Sequence, residues 1–150
     1  MFVKILAGID GSEVADAAID QAIELARGLQ ARLLIVSAYE PVADLRSRER
    51  LLELPADQQW AINPRDEALA LLDRAAERAR RAGVGADEVE THPREGDAAD
   101  AILDVAEEQR CDLIVVGHRG MTGAKRFLLG SVPNKISHHA PCSVLIIRTV

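Results

Sequence analysis

Four short, strongly apolar runs limit what this chain can fold into: Val3–Ile9, Leu33–Ala38, Leu113–Val116 and Ser143–Ile147. Each has the length and β-branched content of a buried strand, and long segments separate them. The first separator repeats Ala15, Ala18, Ile19, Ala22, Ile23, Ala26 and Leu29 at helical spacing, which makes one apolar face. A strand, a helix of this length and a second strand form a β-α-β unit, parallel with a right-handed crossover.

The remaining chain extends the alternation. Residues 39–63, with Pro41, Pro55, a charged run at Arg46–Arg50 and Trp60, read as a variable loop. A helical turn is expected near Arg46–Leu54, with Trp60 anchoring the loop to the body; connections of this length are usually functional or mobile. Asn63-Pro64 starts a helix over about Arg65–Ala82, with Asn63 as N-cap and Pro64 at its first position. Ala68, Leu69, Leu71, Leu72, Ala75, Ala76 and Ala79 form its inner side, and Gly83 ends it. Glu88–His92 alternates as a short edge strand. Gly96-Asp97 opens the next helix, with Asp97 as cap and Ala98, Ala99, Ile102, Leu103, Val105 and Ala106 facing inward. A last short helix, Ser131–Ala140, carries Pro133 in its first turn and stops at Pro141. The sum is one α/β domain over residues 1–150, an open doubly wound five-stranded parallel sheet with four helices.

Composition narrows the function. The chain has 18 Lys+Arg against 24 Asp+Glu, a net charge of −6, which argues against nucleic acid as the main partner. No apolar run is long enough to span a membrane, and Met1–Lys4 runs into a strand pattern rather than a signal peptide. The cytoplasm is the expected location. Cys111 and Cys142 both precede strands and read as buried small residues, not as a disulfide framework.

After Asp112 no acidic residue occurs, while Arg119, Lys125, Arg126, Lys135 and Arg148 all do. Gly117 and Gly120 allow a sharp turn and a close approach. Gly130-Ser131 stands where a helix starts, with Ser131 as its cap and free N–H groups that favour an anion. Strand, glycine turn, basic loop and helix start together suit a phosphate; the same residues also read as a solvated basic surface on tight turns. In a doubly wound sheet ligands bind beyond the strand C-termini, where strand order reverses. If the first and fourth strands are neighbours there, Asp10 meets Gly117 and can help hold a metal–phosphate group. Asp10-Gly11-Ser12 reads equally as a turn and helix cap. His92, His118, His138 and His139 fit no metal-ligand spacing. There is no Gly-x-Ser-x-Gly turn and no Gly-x-Gly-x-x-Gly after the first strand.

Over nearly its whole length the chain resembles a universal stress protein. The resemblance rests on the strand ending in Asp10-Gly11-Ser12 and on Gly117-x2-Gly120-x9-Gly130-Ser131, the family's nucleotide-binding pattern. It rests also on the closing Ser137-His138-His139-Ala140-Pro141-Cys142-Ser143-Val144-Leu145. The resemblance implies an adenine nucleotide alpha hydrolase-like fold with strand order 3-2-1-4-5. It implies ATP as ligand, with Mg²⁺ through the phosphates, and a homodimer through the strand at 143–149. Carried over by position, Gly117, Arg119, Gly120, Gly130, Ser131 and Val132 would cradle the phosphates and ribose, and His118, Met121, Thr122 and Gly123 belong to the same loop. Asp10 would sit at the nucleotide and its metal, and Gly8, Ile9 and Ala38 would line the adenine side. Pro133 replaces the family's usual Ser or Thr. The function so implied is a stress-response or signalling dimer that binds ATP without efficient turnover, with no catalytic residue assigned. Two other readings stand beside it. One is a slow ATPase or phosphotransferase using Asp10 and Arg119, with Ser131 or Thr122 as phosphate acceptor. The other is a nucleotide-independent adaptor that binds a protein through loop 39–63.

Overall fold

The structure is a computed structural model that describes residues 1–41, 53, 55, 63–119 and 129–149. The helical turn expected near 46–54 lies, apart from Glu53, outside the described residues, as does Trp60. Within them the chain runs β1 (Lys4–Gly8), α1 (Glu13–Leu29), β2 (Arg32–Tyr39), α2 (Pro64–Arg81), β3 (Val89–Glu95), α3 (Ala98–Glu108), β4 (Leu113–Gly117), α4 (Ser131–His139) and β5 (Ser143–Ile147). All pairings are parallel and the order is β3-β2-β1-β4-β5, as expected.

Local chemistry fixes where three of the helices begin. Ser12 caps α1, its Oγ accepting from Ala15 N–H at 3.2 Å. Asn63 caps α2 through Asp66 N–H, with Pro64 at the first position. Asp97 caps α3 through Asp100 N–H at 3.1 Å. The last helix differs from expectation. Gly130, not Ser131, is the N-cap of α4, and no side chain caps it. Ser131 is already helical, because the preceding extended residue is the glycine.

The helices divide between the two faces of the sheet. α1 and α2 pack on one face with Ile5, Ala7, Leu33 and Ile35. On the other, α3 and α4 pack with Leu6, Leu34, Ile114 and Val116. Alternating residues of each inner strand feed the two cores, as the two-residue period of a strand requires. Leu69 and Leu71, expected on the inner side of α2, are only half-buried; Leu72 and the alanines carry that contact.

β3 runs three residues beyond its expected end, through Pro93 to Glu95, and Glu88 belongs to a 3₁₀ turn before it. Proline has no N–H for a ladder, yet β3 is an edge strand and tolerates it. At the opposite end of the sheet, the Asp112 carboxylate takes the N–H groups of Val3 at 2.8 Å and Lys4 at 3.0 Å. Lys4 Nζ donates to Gln109 O near the C-terminus of α3 at 2.8 Å. This cluster fastens the start of β1 to the start of β4.

Cys111 is buried, as expected, whereas Cys142 is half-buried; both thiols are free. Burial pushes the Cys111 thiol from its ordinary 9.0 up to about 11. In the unfolded chain the thiol ionises at the lower value, so folding stability falls as pH rises between those two values. The expected loss attributable to Cys111 by about pH 11 is on the order of 2 kcal/mol. Urea unfolding of Cys111→Ala should lack that part of the decline; wild-type and variant curves that stay parallel across the range would contradict it.

Candidate functional site

The cleft arises where the chain reverses direction across the sheet. β2 and β3 lie to one side of β1, and β4 and β5 to the other. The connections that leave β1 and β4 pass to opposite faces, which opens a crevice beyond the strand C-termini. The register pairs Ala7 with Val115, so the next residues along, Gly8 to Asp10 and Val116 to Gly117, reach the crevice side by side.

A cleft at this point holds about 480 Å³ of unfilled space, its open mouth included. Its wall contains Gly8, Ile9, Asp10 and Ala38, together with Gly117, Arg119 and Val132. Residues assigned to the adenine side and to the phosphate side by resemblance therefore line one cavity. The wall also includes Ala15, Val36, Ala98, Ile102, Val116 and Pro133, which sequence reasoning did not name as site residues. For Ala98 and Ile102 a signal existed: Gly96-Asp97 starts a helix directly beyond a strand C-terminus, the side on which ligands bind.

The cleft has two chemical ends. Gly8, Ile9, Val36, Ala38 and Ile102 make an apolar end. Asp10 and Arg119, both exposed, and the first turn of α4 make a polar one. Asp10 Oδ1 accepts from Ser12 N–H at 2.9 Å, which holds the turn before α1. So Asp10 performs the turn role, and it is also a residue of the cleft wall.

At the start of α4, Gly130 N–H donates to His118 O at 2.8 Å and Asn134 N–H to Gly130 O at 3.1 Å. Pro133 has no N–H. Among the described residues, the donors of this turn without a partner are therefore the N–H groups of Ser131 and Val132, which suit an anion. Gly130 is half-buried and Ser131 exposed; they precede Val132 in the chain but are not part of the cleft wall. His118 lies outside the cleft wall, 8% exposed, with Nδ1 3.3 Å from Ile147 O. Gly120, Met121, Thr122 and Gly123 lie outside the described residues.

Two glycines are held to their size by the protein itself. A Cβ on Gly8 would come within 2.6 Å of Ile102 Cδ1. A Cβ on Gly117 would come within 2.4 Å of Val14 Cγ1 and 3.0 Å of Val14 O. The first clash is with a side-chain tip. The second is with the Val14 side chain and, behind it, the α1 backbone, which cannot move as freely as a side-chain tip.

Among the described residues no group of three or more His, Cys, Asp or Glu side chains converges to hold a metal. His138 and His139 are exposed at the end of α4. On β3, Nε2 of His92 is buried without a partner. Burial, the largest influence, holds the His92 pKa below its ordinary value.

Residues 1–148 match the model of the universal stress protein family. The chain is 38% identical over 151 aligned positions to universal stress protein YxiE of Bacillus subtilis (strain 168), covering 99% of this chain and all of the relative. The crystal structure of a universal stress protein in complex with cAMP superposes with a TM-score of 0.72 at 32% identity, over 99% of both chains. Universal stress protein UspA from Lactobacillus plantarum superposes with a TM-score of 0.78 at 26% identity, over 98% of both chains.

Adding a methyl group at Gly117 should jam α1 against β4. Gly117→Ala is expected to destabilise the fold by about 1–3 kcal/mol, with part of the loss recovered in Gly117→Ala/Val14→Ala. Urea unfolding of the two variants measures this; a neutral Gly117→Ala would show that the contact with Val14 is loose.

Proposed function

This chain belongs to the universal stress protein family, and from that premise we propose that it is a nucleotide-binding stress-response or signalling protein holding one adenine nucleotide per chain, ATP with Mg²⁺ foremost. The observation that carries this reading is the two-ended cleft: an apolar end at Gly8, Ile9 and Ala38, and a polar end at Asp10, Arg119 and α4. An apolar slot suits a flat base. The positive Arg119 and the free N–H groups of Ser131 and Val132 suit phosphate oxygens. Gly120, Met121, Thr122 and Gly123 complete the loop on the strength of the glycine spacing. The similar universal stress protein solved in complex with cAMP supports an adenine nucleotide as the ligand.

The residues fit a magnesium ion that arrives with the nucleotide. Mg²⁺ is commonly held by one or two carboxylates together with substrate phosphates, and Asp10 supplies one carboxylate at the polar end. When bound, the ion neutralises phosphate charge. Asp10 would hold it, Arg119 would hold the phosphate oxygens, and the Ser12 N–H keeps Asp10 in place. The reading is binding without efficient turnover, since glycine cradles also serve binding alone.

The same proposal includes one domain over residues 1–150 and a homodimer through 143–149. It places the protein in the cytoplasm, where free Cys111 and Cys142 remain reduced. β5 is an edge strand, and Leu145 on it is 37% exposed. Pairing with a second copy removes an exposed apolar edge. Light scattering should give twice the 16.2 kDa chain mass.

Mg-ATP at a hundredfold excess over its Kd should stabilise the fold by about 2.7 kcal/mol, raising Tm by roughly 5–10 °C. Arg119→Ala should weaken binding about tenfold, as loss of a charge-assisted bond predicts. Calorimetry with ATP, ADP and cyclic AMP, each with magnesium, is the direct test. No heat and no Tm shift with any of the three would reject the reading.

A further inference from the structure

His118 stands between two residues of the cleft wall, yet it does a different task. Gly117 and Arg119 both line the cavity, whereas the His118 side chain turns away and is 8% exposed. Its N–H donates to Ile147 O at 3.0 Å, and its ring Nδ1 lies 3.3 Å from the same oxygen. A carbonyl oxygen only accepts, so Nδ1 carries the proton and the tautomer is fixed. The His118 carbonyl in turn accepts the Gly130 N–H at 2.8 Å.

These bonds join three elements at one residue: the end of β4, the end of β5 and the start of α4. The chain departs for the basic loop at Arg119 and returns at Leu129 and Gly130, and both points are tied to His118. The direction of the His118 carbonyl sets where Gly130 sits. Gly130 is the N-cap of α4, so its place sets that of the next two N–H groups, Ser131 and Val132, of which Val132 belongs to the cleft wall.

We propose that His118 is a positioning residue for the anion end of the cleft, acting through the Ile147 carbonyl and the Gly130 amide rather than by touching the ligand. The ligand part of this inference rests on the nucleotide reading above. The ring bond stops the His118 peptide from rotating about its single backbone bond to Ile147. A side chain that merely filled space would be replaceable by an apolar one of similar size. A donor at the Nδ1 position would not be, and Asn carries an amide nitrogen at the corresponding place.

The test compares wild type, His118→Leu and His118→Asn in the full chain. It reads Gly130 amide exchange by NMR without ligand, and the affinity for Mg-ATP by calorimetry. His118→Leu is expected to speed Gly130 exchange and weaken Mg-ATP each about tenfold, in line with one buried hydrogen bond, while core amides keep their rates. His118→Asn is expected to restore both to within about threefold of wild type. Unchanged values in His118→Leu would overturn the proposal. So would weaker binding with unchanged Gly130 exchange, which means direct ligand contact, or faster exchange with unchanged binding. Uniformly faster exchange throughout the core also overturns it, as a general loss of stability. If wild type binds no nucleotide, the nucleotide reading falls, and Gly130 exchange alone decides whether His118 positions α4. Should His118→Leu fail to fold, His118→Met takes its place with the same expected outcomes.

Discussion

Everything in the cleft depends on β1 being hydrogen-bonded on both sides, to β2 through Lys4–Gly8 and to β4 through Ile5–Ala7. A parallel strand needs a crossover, and the crossovers here are helices with one fixed hand. With the strand order reversing beside β1, those helices must go to opposite faces of the sheet. The separation leaves a gap beside the C-terminal ends of β1 and β4. The cleft is thus a consequence of topology, and its chemistry is that of the few residues that reach it.

Close packing then shapes that gap. The inner faces of α1, α2 and α3 are rich in alanine, so these helices approach the sheet closely. Glycine stands where the approach is closest, at Gly8 under the tip of Ile102 and at Gly117 under the side chain and backbone of Val14. Small side chains contribute little area each, and stability comes from tight contact across two continuous cores. Surface ion pairs add orientation more than energy. Arg78 of α2 pairs with Asp16 and Asp20 of α1, and Lys135 of α4 with Asp97 and Asp100 at the start of α3. The second pairing links two helices that each contribute residues to the cleft wall.

Much of the fold was legible because strand and helix periods differ and each helix carries its own punctuation. Ser12, Asn63 and Asp97 are caps by composition, and they cap in the structure. Where local signals competed, tertiary context decided. Ser131 is a good cap in isolation, but Gly130 supplies the extended residue and its N–H is already bound to His118. The alternation that read as a strand ended at His92, and an edge position let β3 continue through Pro93 to Glu95. The strand order brought Asp10 and Gly117 to one cleft wall, as the motif suggested. The motif carried no information about what fills the space behind each glycine. Nothing in the glycine spacing distinguishes a residue kept small for a ligand from one kept small for Val14. Nor could sequence separate His118 from its neighbours, because only the three-dimensional turn directs its ring towards Ile147. The long-range hold of Asp112 on Val3 and Lys4 spans more than a hundred residues and leaves no local trace.

That hold has a practical side. With all five strands parallel, residues 3 and 148 leave the sheet from opposite ends. Val3 is exposed at the end held by Asp112, and Arg148 is exposed one residue past Ile147, on the side of the cleft. A surface tethered through position 3 therefore presents the cleft to solution, whereas one tethered through position 148 turns it towards the support. The same asymmetry governs where a fluorophore reports: at position 3 it stays distant from anything entering the cleft, and at position 148 it stands beside it.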